Sequence, residues 1–263
     1  MLNTTPRVFF AKILHNVALL FLLSFFNPAF AQSDSNAAPT VVLEPAPVER
    51  VFVPQGFDDN DNAEVIIQGR FSNACMKTGM VEKTVDPIRR IIRLRPLAYV
   101  YKGEPCAQVI VPFIQRVTFG TLHEGTWKIE VEGMPALAPL PLVVKRSVSA
   151  APDEFLYAPV EEVVLLPGTL GIRQKLVVSG NWPVIPARGC FVMKQIRTHL
   201  GSDNTLVVQP IAELLPPEQC SPTSLRKRAF QASVYLEKSL QLDSLIHVRV
   251  LNGESLNKFY ESL

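Results

Sequence analysis

One strand-like phrase occurs twice in this chain of 263 residues, and its recurrence restricts what the chain can fold into. Residues 46–56 read APVERVFVPQG, and residues 158–168 read APVEEVVLLPG. Further matches follow in the same order: VIIQG with LVVSG, Cys75 with Cys190, RPLA with QPIA, Cys106 with Cys220, and KIEVEG with HVRVLNG. This order predicts a tandem duplication of a unit of about 100 residues, a period far longer than that of a solenoid repeat.

Each copy has the pattern of an all-β domain. Short runs rich in β-branched residues are separated by clusters of Gly, Pro, Asn and Asp at the spacing of strands and turns. Within residues 126–133 every second side chain is apolar. Residues 245–253 repeat this alternation and place His247 and Arg249 on the side predicted to face water. The sequence therefore predicts a tandem pair of self-contained β-sandwich domains.

The strand pattern resembles the immunoglobulin fold in general architecture. In that family a tryptophan lies between the two core cysteines. No tryptophan lies between Cys75 and Cys106 or between Cys190 and Cys220 in this chain. We therefore expect immunoglobulin-like sandwiches in general architecture only, without membership of the family.

The spacing of the four cysteines predicts one disulfide inside each copy. Each pair encloses about 30 residues, and we pair Cys75 with Cys106 and Cys190 with Cys220, one of three possible connectivities. A bridge that closes such a loop contributes about 3 to 4 kcal/mol of stability. Redox or metal chemistry typically uses close Cys-x-x-Cys spacing, which the chain lacks. No cofactor is predicted.

Residues 1–31 have the pattern of a signal peptide. Arg7 and Lys12 precede the apolar stretch 13–26, and AFA ending at Ala31 fits a cleavage site. The apolar run is shorter than the roughly 20 residues that span a bilayer, so no membrane span is expected in the mature chain. Export to the periplasm or the medium would place the cysteines where disulfides persist.

After cleavage we predict four segments. They are a flexible N-terminal segment at 32–46, a first sandwich at 47–146, a linker at 147–157 and a second sandwich at 158–263. A subunit of a surface fibre would need a detachable arm, and residues 33–47 are the candidate. Their proline and small residues favour a disordered tether instead.

The charge balance limits the partners. Removal of residues 1–31 takes away Arg7 and Lys12 and no acidic residue, which cancels the formal charge of +2. Without net positive charge or an aromatic stacking pattern, no nucleic-acid partner is expected.

One basic run is a candidate binding surface. In IRRIIRLRP the basic residues are Arg89, Arg90, Arg93 and Arg95, and strand spacing puts the last two on one face. Such a stripe can grip phosphate or carboxylate groups of an envelope polymer or a partner protein. The alternative, which we favour, is a solvated face or an edge strand whose charge prevents aggregation.

The acidic run FDDNDNAE at 57–64 is a candidate calcium loop, with Asp58, Asp59 and Asp61 as the predicted ligands. It lacks the central glycine and the terminal glutamate of an EF-hand. A polar loop between two strands explains the run without a metal.

No catalytic motif stands out. His123, His199 and His247 are isolated in sequence, and the chain contains no GxSxG, HExxH or P-loop pattern. We therefore expect a non-enzymatic, exported binding or structural protein of the cell envelope, which presents its sandwiches to a protein or an envelope polymer. The alternative is a secreted enzyme or enzyme inhibitor whose site is assembled from dispersed residues. A pocket in which carboxylates or a histidine converge would favour this alternative.

Overall fold

The computed structural model describes residues 40–103, 105–134, 139–150, 153–168, 173–183, 189–220 and 228–260. Within these residues all regular structure is strand, apart from two short 3-10 turns at Pro217–Gln219 and Leu251–Gly253. The predicted all-β fold is confirmed. No helix in this part of the chain is long and apolar enough to cross a membrane. The predicted signal peptide lies outside the described residues.

In the part of the chain that the structure describes, the first sandwich has nine strands: β1 (Thr40–Pro45), β2 (Val48–Phe52), β3 (Phe57–Asp58), β4 (Ala63–Phe71), β5 (Met76–Asp86), β6 (Ile91–Lys102), β7 (Val111–Gly120), β8 (Gly125–Val131) and β9 (Leu140–Lys145). Sheet A has the order β1-β6-β8-β9-β3, with β5 also paired to β6, and sheet B has the order β2-β4-β7. Trp127 and Ile129 of sheet A share one core with Val65 and Ile67 of sheet B. The alternation predicted for residues 126–133 therefore marks the correct inner face.

The described residues of the second sandwich form seven strands: β10 (Val160–Leu166), β11 (Lys175–Asn181), β12 (Cys190–Leu200), β13 (Thr205–Leu215), β14 (Ala229–Tyr235), β15 (Leu245–Val250) and β16 (Glu254–Phe259). Sheet C has the order β12-β13-β15-β16, and sheet D has the order β10-β11-β14. Ile246 and Val248 of sheet C pack with Leu176 and Val178 of sheet D in a second core.

The two sandwiches repeat one topology. In sheet A, β6 and β8 form a parallel pair between two antiparallel ones, and β13 and β15 do the same in sheet C. The register shift between Thr78 and Val81 of β5 recurs between Met193 and Gln195 of β12. Each shift begins three residues after the first cysteine of its copy. The two sandwiches therefore share this irregularity of register as well as their topology.

The repeated phrase makes the same hydrogen bond in both copies. The Ala46 N–H donates to the Pro96 carbonyl at 2.9 Å, and the Ala158 N–H donates to the Pro210 carbonyl at 2.8 Å. Each bond holds the start of one sheet against a long strand of the facing sheet. The phrase is therefore the point at which the chain passes from one layer of its sandwich to the other.

The next matched segments, VIIQG and LVVSG, end in a glycine for a steric reason. At Gly69 a Cβ atom would overlap the carbonyl oxygen of Pro47, and at Gly180 it would overlap that of Pro159. Backbone approaches this close admit only glycine within a strand. The recurrence of VIIQG and LVVSG thus reflects one packing requirement.

Both predicted disulfides are confirmed. Cys75 is bonded to Cys106, and Cys190 to Cys220, with Cα atoms 5.5 Å and 5.9 Å apart. Each bridge joins the start of an outermost strand, β5 or β12, to the chain that follows its neighbour, β6 or β13. Each bridge therefore fastens one edge of a sheet.

The N-terminal segment needs a correction. Thr40–Pro45 fall within the stretch 32–46 predicted to be flexible, but they form β1, antiparallel to the second half of β6. Pairing is favoured because Val42 is half-buried and Glu44 forms an ion pair with Lys102 at 2.9 Å. In the second sandwich, the corresponding pairing is reduced to one bridge between Tyr157 and Ile211.

Candidate functional site

The two sandwiches lie against each other through sheets B and C. Phe52 and Ile66 of sheet B form a buried cluster with Leu245 and Phe259 of sheet C, and the two phenylalanine rings are 5.2 Å apart. Because the opposite faces of these sheets line the two cores, the layers follow the order A, B, C, D. We call the contact between sheets B and C the seam. Residues 38–263 consequently form one compact unit.

Glu64 of β4 is the central charge of the seam and is only 1% exposed. One of its carboxylate oxygens accepts a hydrogen bond from Arg116 of β7, and the other accepts one from Ser255 Oγ of β16 at 2.6 Å. Arg116 also donates to Glu254 Oε2 at 2.7 Å. A buried carboxylate is costly unless it is paired, and Glu64 has partners in both sandwiches.

His247 of β15 is fully buried beside Glu64. Asn257 Nδ2 donates to Ser255 Oγ at 3.0 Å, which leaves Asn257 Oδ1 to accept from His247 Nδ1 at 2.9 Å. His247 Nε2 is buried and has no hydrogen-bond partner among the described residues. Burial lowers the pKa of His247 to about 4, although Glu64, 3.5 Å away, favours the charged form. The imidazole is therefore neutral at neutral pH.

A second charged group lies at the same interface. The Arg249 guanidinium lies 4.1 Å from the centre of the Phe57 ring and donates to Asp61 Oδ2 at 3.4 Å. Asp153, which precedes the second sandwich, is close to Asp61. Burial, and then the neighbouring Asp61 charge, raise the pKa of Asp153 to about 6. The acidic loop, the connecting segment and β15 therefore meet at one point.

The three predicted calcium ligands all accept hydrogen bonds from backbone N–H groups. Asp61 accepts from the Asp58 N–H at 3.0 Å, Asp58 accepts from the Asn60 N–H at 3.3 Å, and Asp59 accepts from the Ser147 N–H at 2.8 Å. In the described part of the chain, no three histidine, cysteine or acidic side chains are placed to hold a metal ion. Calcium binding by this loop stays a prediction.

Two of the predicted binding arginines are paired with glutamates on the outer face of sheet A. Arg93 is paired with Glu130 at 2.9 Å, and Arg95 is paired with Glu82 and Glu132, each at 3.3 Å. All five side chains are exposed to solvent. Because the glutamates neutralise the arginines, this face carries charges of both signs and is not a cationic surface.

The other two arginines lie in the turn between β5 and β6. Arg89 is 73% exposed and is 4.0 Å from Asp86. Arg90 has a φ of 54°, and its guanidinium covers Gly125. The four arginines thus divide between a face and a turn, and their role in binding stays a prediction.

One half-open pocket of about 180 Å³ lies in the second sandwich, at the end of β12. Its polar lining includes His199, Glu237 and Lys238. His199 and Glu237 form no hydrogen bond with each other in the described structure. Pockets for small-molecule ligands typically enclose about 300 to 1,000 Å³, so this one is small.

Sequence reasoning missed the seam and misplaced two of its residues. His247 and Arg249 were predicted to face water, but their exposed fractions are 0% and 6%. The first sandwich covers them, with Glu64 beside His247 and with Phe57 and Asp61 beside Arg249. Both side chains do point away from the core of their own sandwich. Period-two alternation reports the face of a strand and carries no signal for what packs on that face.

One comparison with known proteins gives a match. Residues 65–137 match the family model described as the ORF11 beta-sandwich domain. This stretch includes most of β4 and runs through β8 of the first sandwich, in agreement with the fold. No curated protein and no solved structure matches the chain. A β-sandwich domain is compatible with a binding or structural role.

The seam predicts unequal effects for two glutamates that each pair with an arginine. Glu64→Gln removes a buried charge partner and should lower the free energy of unfolding by about 3 kcal/mol. Glu130→Gln removes an exposed partner of Arg93 and should cost less than about 1 kcal/mol. Chemical denaturation of both variants measures the difference. Equal losses would show that Glu64 does not stabilise the seam.

The burial of His247 in its neutral form should make the protein less stable in acid. Its pKa is lower in the folded state than the ordinary 6.5, so its contribution is complete above about pH 6.5 and is lost as the pH falls towards 4. Between these values the unmodified chain should lose about 3 kcal/mol more than His247→Gln does. Denaturation at a series of pH values measures this difference.

His199→Gln is the matched control, because His199 is exposed. This variant should keep the pH dependence of the unmodified chain. An unchanged pH dependence in His247→Gln would contradict the account of its burial.

Proposed function

We propose that the chain is an exported, non-enzymatic binding or structural protein of the cell envelope. In this proposal it presents the outer faces of two joined sandwiches to a protein or an envelope polymer. Export rests on the pattern of residues 1–31, and the two disulfides fit an oxidising compartment. The observation that carries the proposal is the seam.

The seam supports a presenting role because it fixes two sandwiches in one arrangement. Contacts between domains of one chain commonly permit relative motion. Here the contact combines the apolar cluster around Phe52 and Phe259 with the buried pairing of Glu64. In addition, the Val53 N–H donates to Asp203 Oδ2 at 3.0 Å across the same interface. A fixed arrangement keeps the outer faces of the two sandwiches at a constant distance, which suits a protein that presents these faces to a binding partner.

The chemistry of the seam supports the absence of catalysis in this proposal. A serine nucleophile needs a base within hydrogen-bond reach and access to a substrate. Ser255 donates to Glu64 and not to His247, and His247 has no exposed surface. These residue types therefore serve packing between the sandwiches.

The outer face of sheet A is the surface that we propose for the partner. Tyr99 and Tyr101 lie on this face together with Arg93 and Arg95, since all four alternate along β6. Lys77 Nζ lies 5.0 Å from the centre of the Tyr101 ring. Tyrosine and arginine are the residue types enriched at the centres of protein interfaces. The outer face of sheet D carries one tyrosine–lysine contact, with Lys175 Nζ 5.8 Å from the centre of the Tyr235 ring, but its described strands contain no arginine.

Site-specific photo-crosslinking in the native envelope tests this proposal. A photoreactive residue at Lys128 reports on the outer face of sheet A, and one at Ser233 reports on the outer face of sheet D. We expect a reproducible adduct at position 128 and much less at 233. A discrete adduct indicates a protein partner, whereas a polydisperse one indicates a polymer.

An adduct at twice the mass of the chain indicates crosslinking to a second copy of the chain. Such an adduct is evidence neither for a protein partner of another kind nor for a polymer. If position 128 gives no other adduct, or if both positions give the same adducts equally, the proposed binding face is wrong.

A further inference from the structure

Within the described residues, the strand β1 has one edge without a partner strand. It pairs with β6 on one side, and no described strand pairs with its other side. The hydrogen bond from Ala46 to Pro96 sets the alternation, so Val42 and Glu44 direct their backbone groups towards β6. The N–H and C=O groups of Val41 and Leu43 therefore point outwards. Pro45, which has no N–H, ends this row of donors.

The side chains along this edge are apolar and exposed. Val41 is 49% exposed and Leu43 is 46% exposed. In the register of β1 and β6, Val41 lies opposite Tyr101 and Leu43 lies opposite Tyr99. Directly opposite residues share a face, so these side chains form one apolar row on the outer face of sheet A.

Three other outermost strands carry exposed charges of the kind that usually protects a free edge. Lys83 lies on β5, Arg50 on β2 and Lys194 on β12. Natural sheets use such charged side chains to prevent pairing between edges. The single charge on β1, Glu44, lies on the half-buried face of the strand and is paired with Lys102 of the same sheet. The edge of β1 therefore lacks this protection.

We propose that the partner of this edge is a second copy of the chain, joined by antiparallel pairing of the two β1 strands. An antiparallel pair is self-complementary about a twofold axis, so one strand serves both sides of the contact. With the axis at Val42, the outward N–H of Val41 donates to the Leu43 carbonyl of the other copy, and the reverse bond forms as well.

This register also suits the side chains. Thr40 lies opposite Glu44 of the other copy, so no like charges meet. Val41 lies opposite Leu43 of the other copy, and the two apolar rows become continuous across the junction. Sheet A of each copy then continues into sheet A of the next. This inference does not depend on the proposed envelope function.

The expected dimer is weak. Pairing of one short strand buries less than the roughly 1,000 Å² of a typical stable interface. We therefore expect a dissociation constant on the order of tens of micromolar.

Sedimentation of the mature chain over about 1 to 500 μM, a range chosen to bracket that constant, with two substitutions at one position, tests the proposal. Leu43→Pro removes an outward N–H but leaves the pairing with β6, because proline is tolerated on edge strands when its missing N–H faces away. Leu43→Ala keeps the N–H and removes only the side chain. We expect a concentration-dependent dimer in the unmodified chain, an affinity within a few-fold in Leu43→Ala, and at least about tenfold weaker association in Leu43→Pro. Unchanged melting temperatures would confirm that both variants fold.

Three outcomes would overturn the proposal. They are a monomer throughout this concentration range, a dimer of unchanged affinity in Leu43→Pro, and an equal loss in both variants. The last outcome would attribute association to the side chain and not to backbone pairing.

A cysteine substitution tests the register. No native cysteine is free, so Val42→Cys introduces a single thiol that meets its own copy at the twofold axis. Mild oxidation should give a covalent dimer from Val42→Cys and none from Ser233→Cys, which lies on the outer face of sheet D. If Val42→Cys does not link in a sample that sediments as a dimer, the proposed pairing is wrong.

Discussion

The paired, buried charge of Glu64 is the interaction on which the relation between the two sandwiches depends. Its carboxylate is almost sealed from water and has partners on both sides of the seam, Arg116 in its own sandwich and Ser255 in the other. The apolar cluster of Phe52, Ile66, Leu245 and Phe259 supplies non-directional attraction between the same two sheets. The charged group favours one alignment, because a shift between the sandwiches would break the hydrogen bond from Ser255 and leave one buried carboxylate oxygen without its partner in sheet C. Attraction and alignment thus come from different residues of one interface.

A difference between the two copies explains why the described strands stack in four layers. Sheet D corresponds to sheet B, and sheet A corresponds to sheet C, so the seam joins two non-equivalent faces. Contacts of this kind can repeat without limit unless something stops them. In register, the seam residues Leu245 and His247 of sheet C correspond to Lys128 and Glu130 of sheet A. Exposed charges at these positions oppose a second seam, and the outer face of sheet A stays free for other contacts.

The fold and the disulfides could be predicted from sequence because both leave local or repeated signals. Alternation marks the inner faces, and the common spacing of Cys75 with Cys106 and of Cys190 with Cys220 marks the bridges. The strand β1 was missed because its flanking prolines and small residues are typical of a tether. Pairing with β6 overrides that local tendency.

The seam had no comparable signal. Glu64 and Ser255 are 191 positions apart in the chain, and nothing near either residue indicates the other. The same limit applies to His247. Its face was predicted correctly, but the sheet that covers this face belongs to the other half of the chain.

Differential scanning calorimetry of the mature chain tests the central claim most directly. If the seam joins the two sandwiches into one cooperative unit, the chain should unfold in a single transition whose calorimetric enthalpy equals its van't Hoff enthalpy. Two resolved transitions, each carrying about half of the total enthalpy, would show that the sandwiches unfold independently, and would contradict this account.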